Sequence, residues 1–191
     1  MYLIVGLGNP GKKYASTRHN VGWLILDYLI SKGEKWIISK SAHALYGQQK
    51  IANQEVKLIK PTTFMNNSGA TVAYAAKKHH LAPDQIIVIY DDKDIPLGKM
   101  KIQINRGPAG HNGVKSIIEH LKTKNFIRLR VGVQSAKTER QKADQIVLKN
   151  LSAAEKQKII TLVPLIKEAI ATIITRGILT AMSIFNKNSR G

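Results

Sequence analysis

The chain has 191 residues, 43% of them hydrophobic, which fits one globular domain and excludes a disordered protein. The chain contains thirty Lys and Arg and twelve Asp and Glu, which gives a net charge of +18. The absence of cysteine excludes a disulfide framework and thiolate chemistry. No apolar stretch reaches the ~20 residues of a membrane span and the start lacks the basic segment of a signal peptide, so we expect a cytoplasmic protein.

Strands and helices are predicted to alternate along the first half of the chain. Five strands are expected, at residues 2–7, 36–38, 44–51, 56–59 and 86–90. Two helices are expected, at residues 21–30 and 68–79. The run 86–90 is continuously apolar, which is typical of a buried central strand.

The second half continues this alternation. Strands are predicted at residues 99–104 and 127–133, and between them a helix has its apolar face at Val114, Ile117, Ile118 and Leu121. A capping box at Ser152 and Glu155 opens a long helix that Pro164 should kink or divide, and a short helix follows at Ile178–Phe185.

These elements predict an α/β fold consisting of a single domain, with a twisted mixed β-sheet flanked by helices. The sheet should be mixed because several strands lie too close in sequence for crossover connections. We expect the domain to cover residues 1–185 and a short polar tail to cover residues 186–191.

A G-x-G-x-x-G pattern at residues 6–11 follows the first strand. Such a turn receives a pyrophosphate in dinucleotide-binding proteins. Here Pro10 removes a backbone N–H from the turn, and the second predicted strand is followed by Ser39 and Lys40 rather than by an acidic residue for a ribose. A tight turn that delivers Asn9 to the end of the strand is therefore the favoured interpretation.

Of the six histidines, His19 has the surroundings most suited to chemistry. It lies in a polar loop between the glycine turn and the first helix, flanked by Arg18 and Asn20. His79 and His80 end a predicted helix, where compensation of the helix dipole is the expected role. The alternative for His19 is a histidine merely exposed to water at the start of a helix.

A carboxylate partner for His19 is expected in Asp91, directly after strand 86–90. A carboxylate there would fix the tautomer of the ring and favour the imidazolium as it forms. The neighbouring Asp92 and Asp94 leave two alternatives open. The segment could be an acidic turn or, third in order, a Mg²⁺ cluster, which nearby lysines disfavour.

Water is the favoured nucleophile, because the chain has no G-x-S-x-G motif and Ser68 is better placed to cap the helix that follows it. A glycine-rich loop at residues 107–110 leads into a helix near Asn112. The N-terminus of that helix would suit a phosphate or a developing oxyanion, and a flexible loop with a cap is the alternative.

The positive charge indicates a polyanionic partner. Residues 93–149 carry thirteen basic residues and only four acidic ones, which favours nucleic acid as that partner. A generally lysine-rich surface would account for the net charge but not for this distribution.

The polar segments together resemble the bacterial peptidyl-tRNA hydrolase family. The resemblance spans nearly the whole chain in order. It is carried by VGLGNPG (5–11), YASTRHNVG (14–22), PTTFMNNSG (61–69), DDKDIPLG (91–98), GHNG (110–113) and FIRLRVG (126–132).

The resemblance implies a monomeric α/β hydrolase of translation, without a metal or other cofactor, that cleaves the ester between a peptide, or an N-acylated amino acid, and tRNA. It thereby recycles peptidyl-tRNA released from or stalled on ribosomes. His19 would act as the general base that activates water, oriented by Asp91, and Asn9 belongs to the same catalytic group. Substrate binding near the ester is implied for Asn9, Tyr14, Phe64, Asn66 and Asn112.

The implied partner is the acceptor end of peptidyl-tRNA, with the large ribosomal subunit as a further candidate and no membrane. The basic residues expected to neutralise tRNA phosphates are Lys101, Arg106, Lys115 and Arg130. Relatives often carry a basic residue where Gln103 stands, so Lys101 and Arg106 are candidates to replace that phosphate contact.

Two other classes of function stay open at this point. A non-catalytic tRNA-binding module would explain the charge alone, and a dinucleotide-dependent oxidoreductase would explain the glycines alone. Only the hydrolase accounts for the charge, the asparagines and His19 together.

Overall fold

A seven-stranded mixed sheet forms the frame of the molecule in the computed structural model, which describes residues 1–31, 33–135 and 143–187. The strands in chain order are β1 (Tyr2–Gly6), β2 (Ile37–Ser39), β3 (Ala44–Ile51), β4 (Gln54–Pro61), β5 (Ile86–Pro96), β6 (Met100–Gln103) and β7 (Ile127–Gln134). Their order across the sheet is β2-β3-β4-β1-β5-β7-β6. The central strands β4, β1, β5 and β7 are parallel, whereas β2, β3 and β6 run antiparallel to their neighbours. The predicted mixed sheet is confirmed.

Helices cover both faces of this sheet. They are α1 (Val21–Leu29), α2 (Ser68–Lys78), α3 (Asn112–Leu121), α4 (Ala143–Val147), α5 (Ala153–Ile160), α6 (Val163–Arg176) and α7 (Ile178–Phe185). One apolar core lies between the sheet and α1, α5, α6 and α7, and the other lies between the sheet and α2 and α3. No helix in the described part of the chain combines the length and apolar character that a membrane span requires.

The predicted long C-terminal helix is divided into α5 and α6. Pro164 lies in the first turn of α6, where its missing N–H costs no helical hydrogen bond. The predicted capping box opens α5, with the backbone N–H of Ser152 donating to Glu155 Oε2 at 2.9 Å. The short helix α4 was not predicted.

Strand β5 is longer than its apolar run. It continues to Pro96, and Asp91 and Asp92 pair with Val131 and Gly132 of β7. The alternative of an acidic turn at residues 91–96 is therefore wrong. The register with β7 shifts after Asp92, and pairing resumes at Pro96 opposite Gln134. The two strands stay close across this irregularity, because a Cβ on Gly132 would lie only 2.0 Å from the carbonyl oxygen of Pro96.

The predicted role of Ser68 as a helix cap is also wrong. Ser68 is the first residue of α2 and is fully buried, and Asn67 occupies the capping position. The cause is the close packing of α2 on α3. The backbone N–H of Gly69 donates to Ser116 Oγ at 3.0 Å, and a Cβ on Gly69 would lie 2.1 Å from the carbonyl oxygen of Ser116.

Asn186 attaches the end of the C-terminal helix to the outer strand β6. Its side-chain Oδ1 accepts a hydrogen bond from the N–H of Ile102 at 2.8 Å, and its Nδ2 donates to the carbonyl of Ile102 at 2.9 Å. The predicted tail thus begins with a residue packed on the sheet. The boundary between domain and tail stays a prediction, since residues 188–191 lie outside the described residues.

Candidate active site

The glycine turn after β1 is packed by the protein itself. A Cβ on Gly8 would lie 2.7 Å from the indole ring of Trp23, and a Cβ on Gly6 would lie 2.5 Å from the carbonyl oxygen of Gly22. The missing side chains therefore let α1 approach the end of β1 closely. This packing explains both glycines without a pyrophosphate, and it brings the polar loop before α1 to the carboxyl edge of the sheet, where sites of α/β proteins collect.

His19 and Asp91 meet at this edge, as predicted. His19 Nδ1 lies 2.8 Å from Asp91 Oδ1, and both residues are buried. A carboxylate only accepts hydrogen bonds, so the Nδ1 of His19 carries the proton. The Nε2 of the neutral ring is then the nitrogen with the lone pair, which is the tautomer that a general base needs.

A second histidine, His111, binds the same carboxylate oxygen. Its Nε2 lies 3.0 Å from Asp91 Oδ1, while its Nδ1 accepts a hydrogen bond from the N–H of Val114 at 3.3 Å. This second bond caps α3 and leaves the Nε2 of His111 as the donor to Asp91. The sequence patterns indicate Asn112 of the same G-H-N-G segment as a site residue but not His111.

Asp91 is held in its charged form. Burial by itself would raise its pKa, but the two imidazole rings and their hydrogen bonds outweigh burial and hold the pKa of this carboxyl well below its usual range. A permanent negative charge therefore lies against both rings. Such a charge stabilises an imidazolium on the ring that takes up a proton.

A cavity of about 180 Å³ opens beside His19, Asp91 and His111. Its walls come from β5, from the loop that precedes α3 and from Val147 of α4. Asn112, the exposed first residue of α3, also lines it. The cavity thus offers space for a small group directly against the predicted base.

Asn9 is buried behind the glycine turn and tied to two segments. Its backbone exchanges hydrogen bonds of 2.9 Å with the side chain of Asn20, the neighbour of His19. Its Oδ1 accepts a hydrogen bond from the N–H of Met65 at 2.8 Å. Because the oxygen is committed to Met65, the orientation of the amide is fixed and its N–H₂ donors point the other way.

Tyr14, Phe64 and Asn66 lie outside the walls of the cavity. The rings of Tyr14 and Phe64 contact edge to face at a centroid distance of 6.4 Å, and Phe64 is 58% exposed. Asn66 is exposed in the 3₁₀ turn Met65–Asn67, whose first residue holds Asn9. The structure therefore links these three residues to Asn9 rather than directly to the histidines.

The four predicted phosphate contacts differ in their surroundings. Arg106 and Lys115 are exposed, and Lys101 is half-buried opposite Arg130 in the β6–β7 pair. Arg130 is largely buried, its Nε forms an ion pair with Asp92, and its guanidinium donates to Gln103 Oε1 at 2.7 Å. Arg130 was predicted to contact a tRNA phosphate, but within the protein it is also paired with Asp92.

Arg18, next to His19, is a buried residue that was not among the predicted site residues. It is only 3% exposed, and its guanidinium donates to the carbonyl of Asn150 at 2.8 Å and to Glu155 Oε1 at 2.5 Å. Its backbone N–H bonds the carbonyl of Lys149 at 3.0 Å. Arg18 therefore fixes the loop of His19 to the segment that leads into α5.

Within residues 1–31, 33–135 and 143–187, one group could share a metal ion: His19, Asp91 and His111, whose ligand atoms lie within 4.8 Å of one another. The nitrogens that face Asp91 are the ones that donate to it, so a metal would have to replace both hydrogen bonds. Asp92 and Asp94, the alternative Mg²⁺ ligands, form ion pairs with Arg130 and Lys93. The donor set of this site suits proton transfer.

The chain is similar to known proteins over nearly its whole length. The family model for peptidyl-tRNA hydrolase matches residues 3–191. The peptidyl-tRNA hydrolase of Thermodesulfovibrio yellowstonii is 41% identical over 190 residues, covering 98% of this chain and 100% of the relative. That of Brevibacillus brevis is 40% identical over 186 residues, covering 97% and 98%.

A solved structure shows the same likeness. The crystal structure of peptidyl-tRNA hydrolase from Acinetobacter baumannii superposes with a TM-score of 0.85 at 31% identity, covering 97% of this chain and 94% of that one. The family model and the relatives span nearly all of the sequence. This chain belongs to the peptidyl-tRNA hydrolase family.

Proposed function

We propose that this protein hydrolyses the ester bond between a peptide and the 3′ end of tRNA, with His19 as the general base. The observation that carries the proposal is the 2.8 Å hydrogen bond between His19 and Asp91 beside a cavity, in a member of the peptidyl-tRNA hydrolase family. Proton transfer by a positioned histidine contributes on the order of 10²–10⁴ to a rate.

The reaction then follows from the tautomer of His19. Its Nε2 takes a proton from water while the water oxygen attacks the carbonyl carbon of the ester. The buried carboxylate of Asp91 stabilises the imidazolium that forms. The imidazolium returns the proton to the ribose oxygen as the ester carbon–oxygen bond breaks, which releases the peptide acid and the tRNA.

His111 has a positioning role in this proposal. It donates the second hydrogen bond to the oxygen that meets His19, and its own Nδ1 is held by the start of α3. The carboxylate is thereby fixed between two rings. The two histidines differ in position: His19 lies in the loop between β1 and α1, whereas His111 lies in the loop before α3.

The asparagines are proposed to bind the substrate around the ester. Asn9 presents amide donors whose direction is fixed by Met65, which suits the recognition of an acylated α-nitrogen. Asn112 lines the cavity and Asn66 is exposed near the Tyr14–Phe64 pair, so both are proposed to align the ester and the terminal nucleotide. Asparagine suits this task because it bonds polar groups without adding a charge.

We further propose a monomer that acts in the cytoplasm on the acceptor end of peptidyl-tRNA. The exposed Arg106 and Lys115 lie in the loop before α3 and on α3 itself, near His111, which places positive charge beside the site for the tRNA end. A substrate held on the large ribosomal subunit is compatible with the same chemistry. The substrate is made wherever translation occurs, which supports this location.

The test is an assay of release from purified N-acetylated aminoacyl-tRNA, with free aminoacyl-tRNA as the matched control. We expect release of the N-acylated amino acid and little hydrolysis of the control. Tight tRNA binding without release would instead support the non-catalytic binding module. A bound nucleotide cofactor detected by its absorbance would support the oxidoreductase.

A further inference from the structure

The loop at residues 105–110 forms a wall of the active-site cavity without regular secondary structure. It is mostly exposed, and Asn105, Ala109 and Gly110 adopt left-handed φ angles of 54°, 48° and 80°. Left-handed conformations of non-glycine residues persist only where the surroundings hold them. Pro108, Ala109 and Gly110 nevertheless line the cavity that contains His19. Some group must therefore hold this loop in place.

Arg128 of β7 provides that attachment. Its guanidinium donates to the carbonyl of Gly107 at 2.7 Å and to the carbonyl of Arg106. The two acceptors are consecutive peptide carbonyls in the middle of the loop. A planar guanidinium has a fixed fork of donors that suits two neighbouring oxygens, which an ammonium group does not have.

The burial of Arg128 is unusual for an arginine. It is 1% exposed, and no carboxylate of the described residues lies within ion-pair distance of it. Its guanidinium carbon lies 4.7 Å from the centre of the Phe126 ring. A buried charge without a counterion is costly, so its place in the core needs a compensating role. Its acceptors are the two backbone carbonyls of the loop and the side chain of Tyr90.

A second contact joins this attachment to the catalytic residues. Tyr90 directly precedes Asp91 in β5. Its ring packs edge to face against the ring of His111, with 4.8 Å between the ring centroids. Tyr90 also interacts with Arg128, and it lines the same cavity as the loop. The loop ends at His111, which binds Asp91. Arg128 thus supports His111 both through the loop and through Tyr90.

We propose that Arg128 is a positioning residue of the reaction, which fixes the 105–110 loop and thereby the wall of the cavity and the ring of His111. The inference rests on the proposed hydrolase function of the same site. Arg128 itself does not touch the reacting atoms. Its loss should therefore lower kcat much more than it lowers the affinity for tRNA.

The test compares Arg128→Met and Arg128→Lys with the wild type. For Arg128→Met we expect kcat to fall roughly tenfold or more, since small displacements in an active site cost up to ~10²-fold. Affinity for deacylated tRNA should change much less than kcat, because Arg106 is the one proposed phosphate contact in the loop, whereas Lys101 and Lys115 lie outside it. Amide hydrogens of the loop should exchange faster than in the wild type. Arg128→Lys should have a kcat and a loop exchange rate between those of the wild type and Arg128→Met, because an ammonium group lacks the paired donors of a guanidinium.

The control for general loss of stability is Val72→Ala. Val72 is fully buried in the apolar core that contains Phe126, but it belongs to α2. We expect this variant to lower the melting temperature and to leave kcat and loop exchange unchanged. An equal loss of kcat in Val72→Ala would overturn the positioning role, because softening of the core would then suffice.

If the variants fail to fold, the rigidity of the loop can be measured in the wild type. Backbone order parameters of Gly107, Ala109 and Gly110 should match those of a rigid backbone, about 0.85, although the loop is exposed. Values below about 0.6 would contradict the anchoring, as would wild-type kcat in a folded Arg128→Met. These order parameters require no turnover, so an inactive wild type would refute the hydrolase function separately.

Discussion

The side chain of Asn20 forms two hydrogen bonds with the backbone of Asn9, accepting from its N–H and donating to its carbonyl, each at 2.9 Å. Asn20 thereby joins the turn after β1 to the loop that carries His19. Asn9, which is predicted to recognise the acylated α-nitrogen, is thus held close to His19, the predicted general base. A change at Asn9 that preserves these backbone bonds tests recognition separately from the chemistry.

Asn9→Asp should lower the preference for N-acylated over free aminoacyl-tRNA. The carboxylate can still accept from the N–H of Met65, but it has no donors for an amide carbonyl and its charge attracts a free ammonium. We expect a loss of about 1–3 kcal/mol in discrimination, the range for an unmade buried hydrogen bond. The measurement is the ratio of kcat/KM for the two substrates. Asn53→Asp, in the exposed turn between β3 and β4, is the matched control.

His19→Ala should lower kcat by on the order of 10²–10⁴ with tRNA affinity retained, because the general base is lost. Single-turnover release from N-acetylated aminoacyl-tRNA measures the change, and circular dichroism checks the fold. His79→Ala, at the end of α2, should behave as the wild type. A folded His19→Ala variant with undiminished hydrolysis would contradict the assignment.

Asp91→Asn should reduce kcat less than the loss of His19 and shift the acid limb of the pH–rate profile to lower pH. A neighbouring anion favours the protonated form of an imidazole, and its removal reverses this effect. The profile of kcat/KM between pH 4.5 and 9 gives the measurement. An unchanged acid limb would mean that Asp91 does not influence the base.

Glu155→Gln should make the protein less stable at neutral pH but not at low pH. Burial would raise the pKa of Glu155, but hydrogen bonds from Ser152 and the charge of Arg18 lower it below its usual 4.5. A carboxyl with a lowered pKa stabilises the fold above about pH 4.5, and this contribution is lost as the pH falls toward the native value. We expect a difference of about 1.5–3 kcal/mol at pH 7, as for hydrogen bonds to charged groups.

Urea unfolding of the wild type and Glu155→Gln between pH 7 and 3 gives the measurement. The difference in the free energy of unfolding should shrink as the pH falls. Glu168→Gln, on the exposed face of α6, should show no such difference. If the difference in the free energy of unfolding stays constant down to pH 3, the charge of Glu155 is not the cause of the stabilisation.

Lys115→Ala and Arg106→Ala should each reduce the salt dependence of tRNA affinity. Each phosphate contact releases counterions, so the slope of log K against log salt should fall by about one per lost contact. Lys167→Ala, on α6 across the sheet, is the control. Arg130→Met should differ from both, because it also leaves the buried Asp92 without its partner and lowers the melting temperature. Unchanged slopes for Lys115→Ala and Arg106→Ala would exclude this surface.

The sequence predicted the order of strands and helices and the meeting of His19 with Asp91, because both depend on local patterns. The apolar run before Asp91 marks a strand, and parallel strands bring their ends to one edge. The catalytic role of the pair stays a prediction. The full length of β5 was not predictable, since it depends on pairing with β7, whose register the local pattern does not specify.

The missed residues have a common physical reason. Charged residues are rarely buried, so the sequence alone does not indicate that Arg18 and Arg128 each donate to backbone carbonyls of a distant segment. His111 was not predicted because nothing in its G-H-N-G segment indicates that the turn before α3 folds back onto Asp91. Contacts of this kind depend on the tertiary fold and leave no periodic signal.

The hydrogen bonds between Asn186 and Ile102 have a consequence for self-association. An outer strand exposes a row of unpaired N–H and C=O groups, to which the strand of another molecule can add. Asn186 occupies both outward groups of Ile102 in the middle of β6, and α7 stands beside it. A chain that ended before Ile178 would leave this edge open to pairing with its own copies. The last helix thus protects the molecule against edge-to-edge aggregation at β6.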